Sequence, residues 1–269
     1  MSASRAVPSN TTRVTPAARY DDHSASEIAA TLGLPSAIVF EQLTSTLDIA
    51  HELGAQGVEA GALVLADAQT AGRGRMGRAW ESQPGRGIWL TLLERPQRED
   101  ALSVLSLRIA LALASAVEPF AMAPVLLKWP NDVYVGGRKL AGVLLEARWR
   151  GNRLDWLAVG VGINVSAPAG LDAASLAPGT DRLDVLRSVV PELRRAVATP
   201  GPLGADEISR FAVRDLAAGR RCVMPAEGRV AGIDADGALL VDTDRGRAAF
   251  HGGSLILADA SADSLGEMP

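Results

Sequence analysis

The chain reads Ala71-Gly-Arg-Gly-Arg-Met-Gly-Arg-Ala-Trp80 and, about fifty residues later, Lys128-Trp-Pro-Asn-Asp132, followed by Gly136-Gly-Arg-Lys139-Leu-Ala-Gly142. Glycines let a backbone approach a ligand closely, and arginine and lysine side chains hold anions. These segments together predict a site for phosphate and carboxylate groups.

The first segment contains Gly-x-Gly-x-x-Gly at Gly72, Gly74 and Gly77, which is the spacing of a dinucleotide-binding loop. Such a loop opens a helix, whose N-terminus holds the phosphate. Here Pro84 and Gly85 follow closely and disfavour a long helix. We therefore interpret residues 70–79 as a mobile cationic loop, with a solvated Gly/Arg turn as the alternative.

Composition limits the class of protein. The chain has 269 residues, 48% of them hydrophobic, which is enough for one large domain and a small one. A net charge of −4 argues against a general nucleic-acid-binding surface, so the clustered arginines act locally. The single cysteine, Cys222, excludes an internal disulfide, and three scattered histidines lack metal-site spacing. These features predict a cytoplasmic protein with no metal site of its own.

Two further patterns predict no membrane association. The first residues lack the apolar core of a secretory signal. The longest apolar stretch, residues 102–117, is too short to span a bilayer and contains Arg108.

Hydrophobic periodicity predicts an α+β fold, a mixed and mainly antiparallel sheet packed with helices. The predicted strands are 38–43, 62–69, 88–94, 125–129, 133–135, 139–149 and 154–165, with a hairpin at Gly136-Gly137. The predicted helices are 24–32, 46–55, 102–117, 182–197 and 205–216. From Arg220 onward, short strands separated by Asp/Gly turns predict a small C-terminal β-barrel. We expect a disordered leader (1–22), a main domain (23–219) and the barrel (220–269).

Five motifs together resemble those of biotin protein ligases, in matching order across roughly residues 38–260. They are Ser45-Thr46, Gln69–Trp80, Lys128–Asp132, Arg138–Gly142 and Gly160–Asn164. The resemblance implies a class II synthetase-like ligase fold, in which residues 23–219 bind biotin and ATP. It implies that biotin and ATP give biotinyl-5′-AMP and pyrophosphate, after which a carrier lysine takes the biotinyl group. Mg²⁺ is expected to arrive with ATP, held chiefly by phosphate oxygens.

The resemblance also implies the site residues. The catalytic set is Lys139, Arg73, Lys128 and Asp132. The biotin-binding set is Ser45, Thr46, Gln69, Gly72, Arg73, Arg75, Lys139, Gly142, Gly160 and Gly162. The ATP- or adenylate-binding set is Arg75, Arg78, Trp80, Lys128 and Asn164. Fixed cations suit this reaction because negative charge builds on the α-phosphoryl oxygens in the transition state.

Each of these interpretations has a plainer alternative. The alternative for Lys128 and Lys139 is that they are ordinary lysines at strand ends, whose ammonium groups reach solvent. Asp132 either orients or deprotonates the carrier lysine, or only hydrogen-bonds the backbone of its turn. Ser45-Thr46 is alternatively the N-cap of the helix that follows, and Trp80 is alternatively a core residue. Gly142, Gly160 and Gly162 are alternatively bulge or packing positions.

The expected partner is the biotin carboxyl carrier domain of a carboxylase, with no DNA, and the chain is expected to be a monomer or weak homodimer. A lipoate or octanoate transferase of the same fold is the alternative enzyme, but Ser45, Thr46 and Gln69 favour a polar ureido head over an aliphatic one. A biotin-sensing repressor would need an N-terminal DNA-binding domain, for which we see too little chain. A non-catalytic binding module leaves the paired cationic segments unexplained.

Overall fold

The computed structural model describes residues 15–166 and 170–258. Its main sheet has eight strands in the order β1-β2-β3-β4-β8-β7-β6-β5. They are β1 (Thr15–Pro16), β2 (Ser36–Leu43), β3 (Ala62–Gln69), β4 (Gly87–Glu94), β5 (Val125–Lys128), β6 (Asp132–Val135), β7 (Arg138–Arg150) and β8 (Arg153–Asn164). The β2–β3 pair is parallel, and the other pairs are antiparallel. The predicted mixed, mainly antiparallel sheet is confirmed.

Five α-helices pack on this sheet or beside it in the described part of the chain. They are α1 (Ala25–Leu32), α2 (Thr46–Ala55), α3 (Leu105–Val117), α4 (Arg182–Ala198) and α5 (Ala205–Arg214). The β3 strand lies between two apolar layers, because Leu63 and Leu65 belong to the cluster that contains α3 and α4, while Val64 and Ala66 belong to the cluster that contains α2. A strand covered on both faces is a continuous apolar run, as in residues 62–66.

Local signals explain several boundaries. Ser24 and Glu27 form a capping box at the start of α1, and Asp181 caps α4 by accepting from the backbone N–H groups of Leu183 and Asp184. Gly136 and Gly137 both have positive φ, 57° and 76°, which fits the tight turn between β6 and β7. That turn lets β7 pair with β6, so that Lys139 lies opposite Tyr134 and Gly142 lies opposite Asp132.

The C-terminal unit is a five-stranded antiparallel sheet in the order β12-β11-β10-β9-β13. Its strands are β9 (Arg221–Met224), β10 (Gly228–Ile233), β11 (Leu239–Thr243), β12 (Gly246–Phe250) and β13 (Ile256–Leu257). This small β unit after Arg220 was predicted. We call residues 220–258 the C-terminal module.

The predicted disordered leader, residues 1–22, is wrong over its described part. Thr15 and Pro16 pair with β2, and Tyr20 is buried with 3% of its surface exposed. Arg182 stacks 4.2 Å from the Tyr20 ring centroid and also pairs with Asp21. The aromatic and acidic residues of this segment therefore hold it against the fold. Residues 1–14 lie outside the described residues.

Within the described ranges, none of the helices is long and apolar enough to cross a membrane.

Candidate active site

One pocket gathers most of the residues that the sequence predicted. Its volume is about 160 Å³. The predicted residues that line it are Ser45, Thr46, Gln69, Arg73, Arg75, Arg78, Trp80, Lys128, Asp132, Lys139, Gly142, Gly160 and Gly162. The apolar walls come from Leu47, Leu90, Val143, Leu144 and Val161. The pocket is therefore polar at its ends and apolar between them, which suits an amphiphilic ligand.

A chain of hydrogen bonds forms one polar end. Buried Thr91 donates from its hydroxyl to Thr46 Oγ1 at 2.8 Å, and Thr46 donates from Oγ1 to Gln69 Oε1 at 3.2 Å. The backbone N–H of Thr46 also donates to Gln69 Oε1, at 2.9 Å, while Gln69 Nε2 donates to Ser82 Oγ at 2.8 Å. Because both ends of the amide have partners, the orientation of Gln69 is fixed.

Two polar atoms at the pocket are buried and have no hydrogen-bond partner. They are Ser45 Oγ and Trp80 Nε1. Ser45 occupies the N-cap position of α2, but its side chain makes no capping hydrogen bond. A buried polar group without a partner costs about 1–3 kcal/mol, so a ligand that bonds Ser45 Oγ removes that cost. The plain N-cap alternative for Ser45 is not what its side chain does here.

Trp80 lies on a stripe of glycines in the sheet. Gly142 on β7 is in register with Gly162 on β8. A Cβ atom on Gly162 would lie 2.5 Å from Trp80 Cε2, and one on Gly142 would lie 3.1 Å from Trp80 Cζ3. Gly160 similarly accommodates Leu47, whose Cδ2 would be 3.2 Å from an added Cβ. The glycines thus make room for the pocket walls.

The other polar end carries positive charge from two strand ends. Lys139 Nζ lies 2.7 Å from Asp132 Oδ1 and 5.0 Å from the Trp80 ring centroid. Lys128 lies opposite Asp132 in the β5–β6 register, and its Nζ is 5.9 Å from the Tyr134 ring centroid. Asp132 is the one carboxylate among the described residues that line this pocket.

Burial lowers the pKa of two cations at the pocket, Lys128 and Arg75. Desolvation lowers the pKa of Lys128, and the nearby charges of Lys139 and Arg78 lower it further, while Asp132 opposes them. Desolvation also lowers the pKa of Arg75, whose Nη1 donates to Asn131 Oδ1 at 3.3 Å. Both groups are destabilised as cations, so an incoming anion gains more from them than from solvated side chains.

The cationic loop is fastened at Arg73. Arg73 Nη1 donates to Asp48 Oδ1 on α2 at 2.5 Å, and Nε donates to Glu146 Oε1 on β7 at 3.3 Å. Burial alone lowers the pKa of Arg73, but the bonds to these two carboxylates outweigh it and raise the pKa. The second oxygen of Glu146 lies 2.7 Å from His51 Nε2, and His51 Nδ1 accepts from Trp156 at 3.0 Å. Arg73 is thus held to the framework by a connected polar network.

Two predicted residues are not in the pocket lining. A Cβ atom on Gly72 would lie 2.3 Å from the Trp80 carbonyl oxygen, and the backbone N–H of Trp80 donates to the Gly72 carbonyl at 2.9 Å. Gly72 therefore allows the two ends of the loop to approach each other. Asn164 is buried, and its Nδ2 donates to the Lys139 carbonyl at 3.4 Å. The structure does not bring Asn164 into the lining with Trp80.

Several residues of the site were missed by the sequence reasoning. Thr91, Ser82, Asp48 and Glu146 each hold a predicted residue, and Gly253–Leu255 of the C-terminal module line the pocket directly. Single threonines and carboxylates in strands and helices carry no local signal of their partners. Gly253–Leu255 follow the short strands of the module and carry no sequence signal of a pocket.

Two family models match the chain. The biotin/lipoate A/B protein ligase family matches residues 39–164, and the biotin protein ligase C-terminal domain matches residues 222–257. The first covers α2, the cationic loop and both lysine-bearing strand ends, and the second covers most of the C-terminal module.

The match to each curated relative covers only part of that relative's length. The bifunctional ligase/repressor BirA of Bacillus subtilis is 41% identical over 133 residues, which are 48% of this chain and 40% of that protein. The biotin–[acetyl-CoA-carboxylase] ligase of Paracoccus denitrificans is 42% identical over 129 residues, which are 46% of this chain and 52% of that protein. The chain therefore matches about half or less of the length of these two relatives.

A solved structure is similar over almost its whole length. The biotin protein ligase of Aquifex aeolicus in complex with biotin and ATP has a TM-score of 0.68 and 28% sequence identity, and the match covers 83% of this chain and 99% of that one. The family models and these relatives thus make the chain similar to biotin protein ligases in both its main sheet and its C-terminal module.

Proposed function

We propose that this protein activates biotin with ATP to biotinyl-5′-AMP and then transfers the biotinyl group to a lysine of a biotin carboxyl carrier domain. The observation that carries the proposal is the single pocket that joins an unpartnered buried hydroxyl, Ser45 Oγ, to the cations Lys128 and Lys139 across apolar walls. Biotin has this same order of groups, since a polar ureido head is joined to a carboxylate by an aliphatic chain.

The polar end suits the ureido group. A ureido group offers two N–H donors and one carbonyl acceptor, so its site needs both donors and acceptors. Ser45 Oγ can donate or accept, and Thr46 Oγ1 keeps acceptor capacity after its two bonds to Thr91 and Gln69. Thr91 and Ser82 hold this pattern in one orientation, which supports recognition of one polar head.

The cationic end suits adenylation. In this step a biotin carboxylate oxygen attacks the α-phosphorus of ATP, the bond to the β-phosphate oxygen breaks, and pyrophosphate leaves with the electron pair. Lys139 lies beside the attacking and receiving groups in this proposal and stabilises the charge that builds on them. Lys128, Arg75 and Arg78 supply further positive charge for the carboxylate and phosphates, and Arg73 adds to it when the ligand takes the place of Asp48 or Glu146. The ATP phosphates bring their own Mg²⁺.

The second step joins the carrier. A neutral lysine amine of the carrier attacks the carbonyl of the mixed anhydride, an amide forms, and AMP leaves with the electrons of the broken acyl–oxygen bond. Asp132 is the carboxylate available to accept the proton or orient the amine, but it already pairs with Lys139. The cationic loop, residues 70–79, closes over the adenylate in this proposal and keeps water from hydrolysing it.

The carrier is a carboxylase subunit or domain in this proposal. This is supported by relatives named biotin–[acetyl-CoA-carboxylase] ligase from Paracoccus denitrificans and Mycobacterium tuberculosis. A cytoplasmic location, the absence of DNA binding, and a monomer or weak homodimer stay predictions. The alternative lipoate or octanoate substrate fits less well, because an aliphatic acid leaves Ser45 Oγ without a bond.

The experiment incubates the protein with biotin, ATP, Mg²⁺ and a carrier domain, and weighs the carrier by mass spectrometry. We expect one added biotinyl group, dependent on both biotin and ATP, and pyrophosphate release only when biotin is present. Lipoate and octanoate replace biotin in parallel reactions. Pyrophosphate release that is faster with either acid than with biotin would overturn the substrate assignment.

A further inference from the structure

Trp129 connects the catalytic strand ends to the C-terminal module. Its indole N–H donates to the Gly237 carbonyl at 3.0 Å, and the side chain is buried with 3% of its surface exposed. In the sequence Trp129 directly follows Lys128, the last residue of β5. The backbone that places Lys128 at the pocket is thus next to a contact with the module.

The acceptor belongs to a well-defined turn, residues 234–237, which we call the Gly237 turn. Asp234 Oδ1 accepts from the backbone N–H groups of Asp236 and Ala238 at 3.0 and 2.8 Å, and the Gly237 N–H donates to the Asp234 carbonyl at 3.1 Å. Gly237 has a φ of +78°. These bonds make the turn a rigid acceptor.

The Gly237 turn is seated against α3. A Cβ atom on Gly237 would lie 3.0 Å from Leu107 Cδ1 and 3.3 Å from Val104 Cγ1. The preceding Ala235 carbonyl accepts from the Leu203 N–H at 2.8 Å. The turn therefore has a close fit on the catalytic domain, and little room exists for it to shift.

The strand that carries Lys128 depends on such outside support. β5 lies at the edge of the main sheet and has only four residues, Val125–Lys128. Besides pairing with β6, β5 accepts a hydrogen bond from outside the sheet, since the Leu216 N–H donates to the Leu127 carbonyl at 2.9 Å. Arg214 also donates to the Val125 carbonyl at 3.1 Å, and Asn131 Nδ2 donates to the Val143 carbonyl at 2.6 Å. A short edge strand has few bonds to fix its end, and the bond from Trp129 is the contact that ties this end to the Gly237 turn.

We propose that Trp129 is a positioning residue for the adenylation step, a proposal that rests on the proposed function. Its hydrogen bond to the Gly237 turn holds Lys128 at the phosphate end of the pocket. The C-terminal module thereby acts on adenylation through Lys128, while the hydrogen bonds described for Thr46 and Gln69 at the ureido end involve neither Trp129 nor the Gly237 turn. Plain packing by Trp129 would instead affect stability and leave the rate of the folded enzyme unchanged.

Trp129→Phe tests the bond, because phenylalanine keeps an aromatic ring and removes the N–H. We expect kcat for biotin-dependent pyrophosphate release to fall about three- to tenfold, the loss that corresponds to one hydrogen bond. Biotin affinity, measured by calorimetry without ATP, should stay within about twofold. Trp149→Phe is the matched control, since Trp149 on β7 is 51% exposed, and it should leave both values unchanged.

Gly237→Ala tests the same link from the module side, at a residue outside the pocket lining. Its new methyl group would crowd Leu107 and Val104 and strain a backbone whose φ is +78°, so the turn has to shift and the same fall in kcat with the same biotin affinity is expected. Gly246→Ala is its control, because Gly246 also has positive φ, +107°, but has open space around its Cβ position. Gly246→Ala should lower stability and leave kcat unchanged.

All assays are run at a temperature at which circular dichroism shows every variant folded. A wild-type protein that releases no pyrophosphate with biotin would refute the proposed function. An active wild type, with Trp129→Phe and Gly237→Ala both at wild-type kcat, would refute the positioning role alone. Equal losses in Gly237→Ala and Gly246→Ala would also refute it, because a general weakening of the module would then explain the effect.

Discussion

Lys139 and Asp132 form an ion pair across neighbouring strands, with Lys139 Nζ 2.7 Å from Asp132 Oδ1. Lys139 is at the start of β7, Asp132 at the start of β6, and both side chains line the pocket. The pair fixes the ammonium group beside Trp80, where the proposed adenylation takes place. It also means that the two residues must be tested separately.

Lys139→Ala should slow adenylation by about a hundredfold or more, the scale for removing one preorganised charge stabiliser. Biotin affinity should fall by much less, because the charge that Lys139 stabilises grows toward the transition state. Single-turnover pyrophosphate release and equilibrium biotin binding measure the two effects. A near-normal single-turnover rate would remove Lys139 from the mechanism.

Asp132→Asn should separate the two roles considered for this carboxylate. If Asp132 mainly places Lys139, adenylation slows and transfer from preformed biotinyl-5′-AMP to the carrier is nearly unchanged. We expect this result, because the short contact to Lys139 already occupies the carboxylate. Slow transfer with normal adenylation would instead assign Asp132 to the carrier lysine. The two half-reactions are measured separately, with and without ATP.

Lys128→Arg should extend activity to higher pH. Desolvation lowers the pKa of Lys128 below its ordinary value of 10.5, so the wild-type side chain loses its charge as the pH rises through that lowered value. Arginine remains charged throughout this range. The alkaline limb of pyrophosphate release should therefore move upward in Lys128→Arg. Lys128→Gln, uncharged at every pH, should be slow even at neutral pH, and identical alkaline limbs in wild type and Lys128→Arg would contradict the assignment.

Asp48→Asn should loosen the cationic loop in the ligand-free protein. The variant weakens the charged bond from Arg73, so amide hydrogen exchange in residues 73–79 should become faster. With a stable adenylate mimic bound, exchange should be slow in both proteins, because the ligand then holds the loop. Asp184→Asn, which alters an exposed pair with Arg187, is the control. An unchanged ligand-free exchange rate would show that Arg73 does not fasten the loop.

Arg108→Leu should destabilise the whole fold by about 3–5 kcal/mol, because it leaves a partly buried carboxylate without its partner. Arg108 is 3% exposed and donates to Glu207 at 2.6 Å and to the Pro202 carbonyl at 2.8 Å. Urea unfolding measures the loss. Arg187→Leu, at an exposed pair, should cost less than about 1 kcal/mol. Equal losses of unfolding free energy in the two variants would contradict the prediction that the buried pair stabilises the fold more than the exposed pair.

The sequence was a good guide where local pattern determines the structure. The helix α2 and the strand β3 have the predicted bounds, Thr46–Ala55 and Ala62–Gln69. Both elements are strongly periodic or continuously apolar and are bounded by turn residues. The helix predicted at 102–117 begins later, at Leu105, because residues 101–104 form turns.

The site was predictable as a set of motifs, but its internal connections were not. The pairing of Arg73 with Asp48 and Glu146, and of Thr46 with Thr91, depends on which strands become neighbours in the sheet. No spacing in the sequence contains that information. The prediction of a disordered leader was wrong for the same reason. Tyr20 and Asp21 contact Arg182 on α4, which is far along the chain.

The pocket wall formed by Gly253–Leu255 has a consequence for the order in which the protein is made. Ser45 and Thr46 are synthesised before the other residues that line the pocket, whereas Gly253–Leu255 are synthesised after all of them. These late residues are held by β13, whose Ile256 pairs with Met224 of β9. A nascent chain can thus fold its main sheet while one wall of the pocket is still open. The site becomes complete only after Leu255 has been synthesised.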